Sequence, residues 1–344
     1  MRYRKFICLL SLSLAAVFCR AACAKEGVLR AGIVGCDTSH VIAFTDLINK
    51  SDASGSLANV EVTVAFPGGS DDLPASRDRL PDFVAQLRKK GVTIVDSLEE
   101  LADQCDAILL ESVDGRVHLG QFREIAKGKP VFVDKPAAAS LADVMAIFHI
   151  AEATKTPVFS SSSLRFVDEV PALAGDATIG ELLGCETSGP MPIEPHHPDL
   201  FWYGIHGVEP LYAIMGEGCE SVSRTDSDTS SLVVGKWRDG RIGSFRGLKK
   251  GQAKYAATVF GTNGVAHRAG FSGYEPLVRE ICEFFHTGKP PVSRHETIEI
   301  FAFMEAADES KRRGGEPVVI AEVIERAERE VASRKAEIEP AAAR

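Results

Sequence analysis

The stretch Val28-Leu29-Arg30-Ala31-Gly32-Ile33-Val34-Gly35 is a short β-rich run ending in glycine. Ser39 to Asn49 follows, with Val41, Ile42, Phe44, Thr45 and Ile48 at helical spacing. That is strand, turn, helix, and the alternation continues outward. A strand at Val60 to Phe66 breaks at Pro67-Gly68-Gly69. A helix from about Pro81 to Lys90 then has proline in its first turn and basic residues in its last. Further strands are expected at Val92 to Val95, Ala107 to Leu110, Val131 to Val133 and Val158 to Ser160. Helices starting at Ser97, at His118 to Lys127 and at Leu141 to Ala153 lie between them. Strict alternation with short connections predicts an α/β unit, a doubly wound parallel sheet. The wholly apolar Ala107 to Leu110 suits a strand buried on both faces.

After Ser163 the pattern changes. Gly184 to Thr187, Ser230 to Lys236, Gly240 to Phe245 and Ala256 to Phe260 read as strands without interleaved helices. This predicts a C-terminal α+β domain on an open, mainly antiparallel sheet. Two helices, about Tyr274 to His286 and Glu296 to Arg312, come next, and residues 321–344 read as a charged, alanine-rich tail. A length of 344 residues exceeds what one core usually holds, so two domains, 25–160 and 161–320, with a cleft between them are expected.

Composition narrows the function classes. Hydrophobic residues at 45% and charged residues at 25% describe a globular protein. Residues 1–24 form an export signal: Arg2, Arg4 and Lys5 precede an apolar run from Phe6 to Phe18, and Ala22-Cys23-Ala24 has the form of a cleavage site. A lipid anchor on Cys23 competes with this reading, but Arg20 stands where a lipobox takes an aliphatic residue. The mature product is expected in the periplasm or outside the cell. No stretch reaches the roughly 20 apolar residues of a membrane span. Losing the signal takes the formal charge from −9 to −13, which excludes nucleic acid as a partner. The five cysteines left form no CxxC pair, so neither a disulfide framework nor a zinc knuckle is expected.

A dinucleotide site needs glycines in the first strand-to-helix turn, so that backbone amides can approach the pyrophosphate. Here Gly32 and Gly35 precede Asp37, Thr38, Ser39 and His40, with Asp37 and His40 at the second and third glycine positions. A carboxylate at Asp37 would stand near the phosphates and repel them. No acid ends the second strand to hold a ribose. Val131-Phe132-Val133-Asp134-Lys135-Pro136 places a lysine just past a central strand, where open α/β sheets present ligands. This acid-lysine-proline resembles the corresponding motif of the Gfo/Idh/MocA oxidoreductases, with Asp134 for its glutamate. His118 after the fourth strand, Arg165-Phe166, the stretch Glu283 to Pro290 and a helix ending Glu305 to Ser310 extend the resemblance over most of residues 28–320.

The resemblance implies a Rossmann N-terminal half and an NAD or NADP cofactor, held by Gly32, Gly35, Asp37, Thr38, Ser39, His40, Ser112, His118, Asp134, Lys135 and Pro136. It implies catalysis at Lys135 and at His206, with Glu209 one turn later orienting the imidazole. Trp202 stands where the family commonly has an aspartate, which puts its standard proton relay in question. Arg165, His196, His197, Asp199, Trp202 and Tyr203 are the expected carbohydrate contacts. In Glu194-Pro195-His196-His197-Pro198-Asp199 the prolines impose an extended loop, without the i, i+4 spacing of a helical metal motif, and no metal is assigned.

The expected activity is hydride transfer between NAD(P) and a sugar hydroxyl. Glycoside elimination or hydrolysis, with a retained cofactor or none, and non-catalytic carbohydrate binding are the alternatives. The family also implies association of copies through the open sheet.

Overall fold

The computed structural model describes residues 27–270 and 273–338; residues 1–24, read as an export signal, lie outside them. The first sheet holds β1 (Leu29–Val34), β2 (Val60–Phe66), β3 (Thr93–Ile94), β4 (Ala107–Leu110), β5 (Val131–Val133) and β6 (Val158–Ser160). All its pairings are parallel, in the order β3-β2-β1-β4-β5-β6. Helices α1 (His40–Ile48), α2 (Pro74–Arg77), α3 (Leu80–Lys89), α4 (Leu98–Gln104), α5 (Gly115–Ile125) and α6 (Leu141–Thr154) connect the strands. Ser97, Asp114 and Ser140 cap α4, α5 and α6, each accepting a hydrogen bond from a first-turn backbone N–H. Strand order reverses between β1 and β4, which opens a crevice at their carboxyl ends. Gly35 lies there at φ +85°, and a Cβ on it would come within 2.2 Å of Ser112 Oγ, so only glycine fits.

After α7 (Glu169–Ala174) comes the second sheet. It contains β7 (Leu182–Pro190), β8 (Cys219–Asp226), β9 (Ser230–Trp237), β10 (Ile242–Leu248), β11 (Ala256–Gly261), β12 (Val265–Ala269) and β13 (Val318–Val319), ordered β12-β11-β7-β10-β9-β8-β13. Only β7 and β10 pair in parallel; the other pairings are antiparallel. Helix α8 (Ile205–Met215) and α10 (Arg294–Arg312) cover one face, where Val233, Trp237, Phe245 and Val259 join Leu211, Phe301 and Phe303 in a core. Strand β8 was not expected because its inward residues include Arg224, a charge where the pattern demands an apolar side chain.

Two C-terminal segments depart from the linear reading. Helix α9 (Glu275–Thr287), in the span assigned to the second domain, returns to pack on α1, burying Leu277, Val278, Ile281, Phe284 and Phe285 against the first sheet's layer. The segment read as a charged tail forms α11 (Ile320–Ser333), then α12 (Lys335–Ile338). Ile320, Val323 and Ala327 of α11 are buried over α6 and α10, so its charges are the solvent face of an amphipathic helix. Cys36, Cys105, Cys185, Cys219 and Cys282 are free and buried. No helix among the described residues is long and apolar enough to cross a membrane.

Candidate active site

A cleft of about 470 Å³ opens at the carboxyl end of the parallel sheet. Thr38, Ser39 and His40 at the start of α1, Val113 after β4 and Lys135 after β5 line one side. Trp202, Tyr203, His206 and Tyr255 from the second half line the other. Lys135, joined to Pro136 by a cis peptide bond, is 8% exposed. Its Nζ lies 6.0 Å and 5.5 Å from the ring centroids of Trp202 and Tyr203, within cation–π range. Among the described residues no group hydrogen-bonds this ammonium. Burial pulls its pKa below the usual lysine range against the pull of Asp134, and Arg79 lowers it further. A donor in this state is free to meet a ligand oxygen.

His206 projects from α8, just after a π-helical turn, Leu200–Gly204. Its Nδ1 lies 2.6 Å from Ser162 Oγ. Burial, then Lys135 and His40, hold the imidazole well below its ordinary pKa, so it is neutral at pH 7. Glu209 does not orient this ring as expected. Its carboxylate accepts from Ser161 Oγ, Ser162 N and Arg165, and so fixes the turn that carries Ser162. The helical spacing correctly put His206 and Glu209 on one side of α8, but the β6 loop comes between them.

Burial pushes the Glu209 carboxyl up from 4.5 to about 6, with Arg165 opposing. An acid whose folded pKa is raised binds its proton more tightly in the native state. The stability this contributes is complete below pH 4.5 and is lost as pH rises through about 6. Glu209→Gln does not titrate. Its unfolding free energy relative to wild type should therefore rise by about 2 kcal/mol across that window. Urea titrations at both ends check this, and an unchanged difference would contradict it.

Several expected ligands are structural. Asp37 is fully buried and does not reach out to a phosphate; its carboxylate accepts from Ser76 Oγ at 2.6 Å and Val113 N at 2.9 Å, tying α2 and the β4 loop together. His118 is buried with its ring nitrogens against the carbonyls of Ser112 and Ala137. Ser112, also buried, donates to Gln121. Gly32 sits within β1, where a Cβ would press on Cys105 and Leu101. Pro136 packs against Gly115 at the start of α5.

Arg165 is turned from the cleft and shared between Glu209 and Glu296. Asp199 pairs with Arg224 and Lys311, away from the cleft. His196 and His197 both bond Glu194, and His197 Nε2 lies 3.2 Å from both Gly115 N and Asp114 Oδ1. Burial raises the Asp114 carboxyl, but hydrogen bonds from His197 and Arg116 outweigh it and hold it well below the carboxylate range. The loop is thus a clasp between the two halves. Among the described residues no group of three or more His, Cys, Asp or Glu side chains is arranged to hold a metal ion.

Sequence reading missed Ser162, Tyr255, Tyr274 and Arg79, which reach the site from four separate segments. It also missed Glu111, buried at the end of β4 with no hydrogen-bond partner for either carboxyl oxygen among the described residues. Burial, then Asp134 and Asp37, push its pKa well up.

No protein-family model and no curated protein sequence matches the chain. Solved structures do. A "probable dehydrogenase" from Thermotoga maritima aligns at 19% identity over 86% of this chain and 100% of its own, with a TM-score of 0.70. The myo-inositol 2-dehydrogenase of Lactobacillus plantarum aligns at 15% identity over 85% and 99%, TM-score 0.69. The myo-inositol dehydrogenase of Lactobacillus casei, solved with NAD(H) and myo-inositol, aligns at 15% identity over 85% and 96%, TM-score 0.66. The chain therefore has the fold of the Gfo/Idh/MocA-type dehydrogenases.

Proposed function

We propose that the chain is an NAD(P)-dependent oxidoreductase that acts on a hydroxyl of a sugar or cyclic polyol. The observation that carries this is the meeting of Lys135 and His206, from the two halves, in one cleft at the switch point of the parallel sheet. The similar structure solved with NAD(H) and myo-inositol supports the substrate class.

The residues fit a nicotinamide nucleotide at this end. Gly35 closes β1 in a turn packed against Ser112 where only glycine fits, and Thr38, Ser39 and His40 bring the N-terminal end of α1 to the cleft. When bound, the nicotinamide supplies the hydride acceptor. Lys135 donates to the reacting oxygen and stabilises the charge that develops there. With Nδ1–H donated to Ser162 Oγ, His206 Nε2 has the lone pair that takes the hydroxyl proton. Trp202 and Tyr203 offer rings on which the apolar face of a sugar can stack.

Purified protein, assayed with NAD+ and NADP+ against a panel of inositols and aldoses, should reduce the nucleotide. Heat-denatured protein should release any nicotinamide it retained. Neither reduction nor nucleotide binding by calorimetry would move the weight to elimination or hydrolysis.

We also propose export, with a mature chain beginning near Lys25, which mass spectrometry of the secreted product tests. Copies should associate through the open sheet face, where Ile242 and Phe260 stand 58% and 40% exposed across Gly184. Ile242→Arg should shift a dimer to monomer in sedimentation. A wild-type monomer would dismiss the idea.

A further inference from the structure

His40 does more than mark a degenerate glycine. It begins α1, lines the cleft, and places Nδ1 2.7 Å from Asp134 Oδ2. Asp134 is 2% exposed, and its other oxygen accepts from Lys135 N at 2.8 Å, so the carboxylate is fixed in place. The His40 ring stacks on Phe44 at 5.1 Å and meets Tyr274 edge-on at 4.8 Å, which sets its plane. Among the described residues nothing hydrogen-bonds Nε2. A buried carboxylate on one nitrogen, rings holding the plane and an open second nitrogen are the parts of a general base.

We propose that His40, oriented by Asp134, is a second proton-transfer group of this cleft, acting from the parallel-sheet wall while His206 acts from the other. The proposal rests on reading the cleft as a polyol site. Asp134 accepts from Nδ1–H and selects the tautomer with its lone pair on Nε2. That lone pair forms the new N–H bond as a substrate O–H or acidic C–H breaks, and the electron pair remains on the substrate atom beside the Lys135 ammonium. The imidazolium is stabilised by Asp134, which keeps its charge. Two imidazoles flanking one ammonium let a proton leave one side of a bound polyol and another arrive from the opposite side, which a single histidine does not provide.

Diethyl pyrocarbonate, which acylates unprotonated imidazole nitrogens open to solvent, tests the geometry without a substrate. Peptide mass spectrometry at neutral pH should find His40 modified well before the enclosed His118, and Asp134→Asn should slow the modification. An unreactive His40, or an equal rate in Asp134→Asn, overturns the proposal. With myo-inositol and NAD+, His40→Gln should lower kcat by about a hundredfold with little change in KM. Free imidazole should restore part of the rate in His40→Gly, which a purely structural role would not permit. Full turnover in His40→Gln also overturns the proposal. A wild type inert toward myo-inositol and other polyols counts against the redox reading instead, and the acylation result then decides His40 alone.

Discussion

Lys135→Met should lower kcat by on the order of a hundredfold or more, as loss of a preorganised donor does, while leaving the fold intact. The expectation follows from what the ammonium lacks. It is nearly buried, faces two aromatic rings, and has no hydrogen-bond acceptor among the described residues. Such a group costs desolvation and returns little to stability, and methionine keeps most of the stem's volume. The melting temperature should stay within a few degrees, corresponding to about 1 kcal/mol. Wild-type turnover in this variant, on a substrate the native protein converts, would remove Lys135 from the chemistry. A large fall in melting temperature would instead make it a packing residue.

Arg224→Met should have the opposite profile, a large loss of stability with the cleft chemistry preserved in whatever fraction folds. The guanidinium is fully buried and reaches Asp308 at 2.5 Å, Asp199 and Asp226 at 2.8 Å, and Ser231 Oγ at 3.0 Å. Burial already pushes Asp308 up to about 7 despite this partner. Without the arginine, carboxylates held together by one cation face each other in a poorly solvated site. Lys311 and Lys249 compensate only at the solvent side. Removing one member of such a cluster costs about 3 kcal/mol or more, enough to lower the melting temperature by several degrees. Arg224→Lys restores charge but not the forked geometry and should recover only part of the loss. A melting temperature unchanged in Arg224→Met would show that the three acids are neutral or solvated in the native state.

The comparison of these two residues shows how sequence signals differ in reach. Lys135 was legible because its meaning is local: a lysine after an apolar strand lands at the sheet's carboxyl edge whatever the rest of the chain does. Arg224 was not, because an inward charge in β8 makes sense only with carboxylates beside it, and while Asp226 ends the same strand, Asp199 and Asp308 come from separate segments. Asp37 and Arg165 were assigned to ligands on motif position. Their real partners, Ser76, Val113, Glu209 and Glu296, could be known only once the loops were placed.

The sequence by itself determined the doubly wound parallel sheet, the change to a mainly antiparallel sheet after Ser163, and the placing of Lys135 just past a central strand, while His206 was picked out by the family resemblance. Hydrophobic periodicity and strand-to-helix turns act over a few residues, and they survive in a single chain's pattern. Tertiary structure alone decided which face each polar side chain serves. It put Glu209 on a turn instead of a ring, His197 in a clasp, Asp199 on an arginine, and His40 against Asp134, 94 residues away. A buried polar group must find its hydrogen-bond partner wherever packing brings one, and that partner's distance along the chain leaves no local trace.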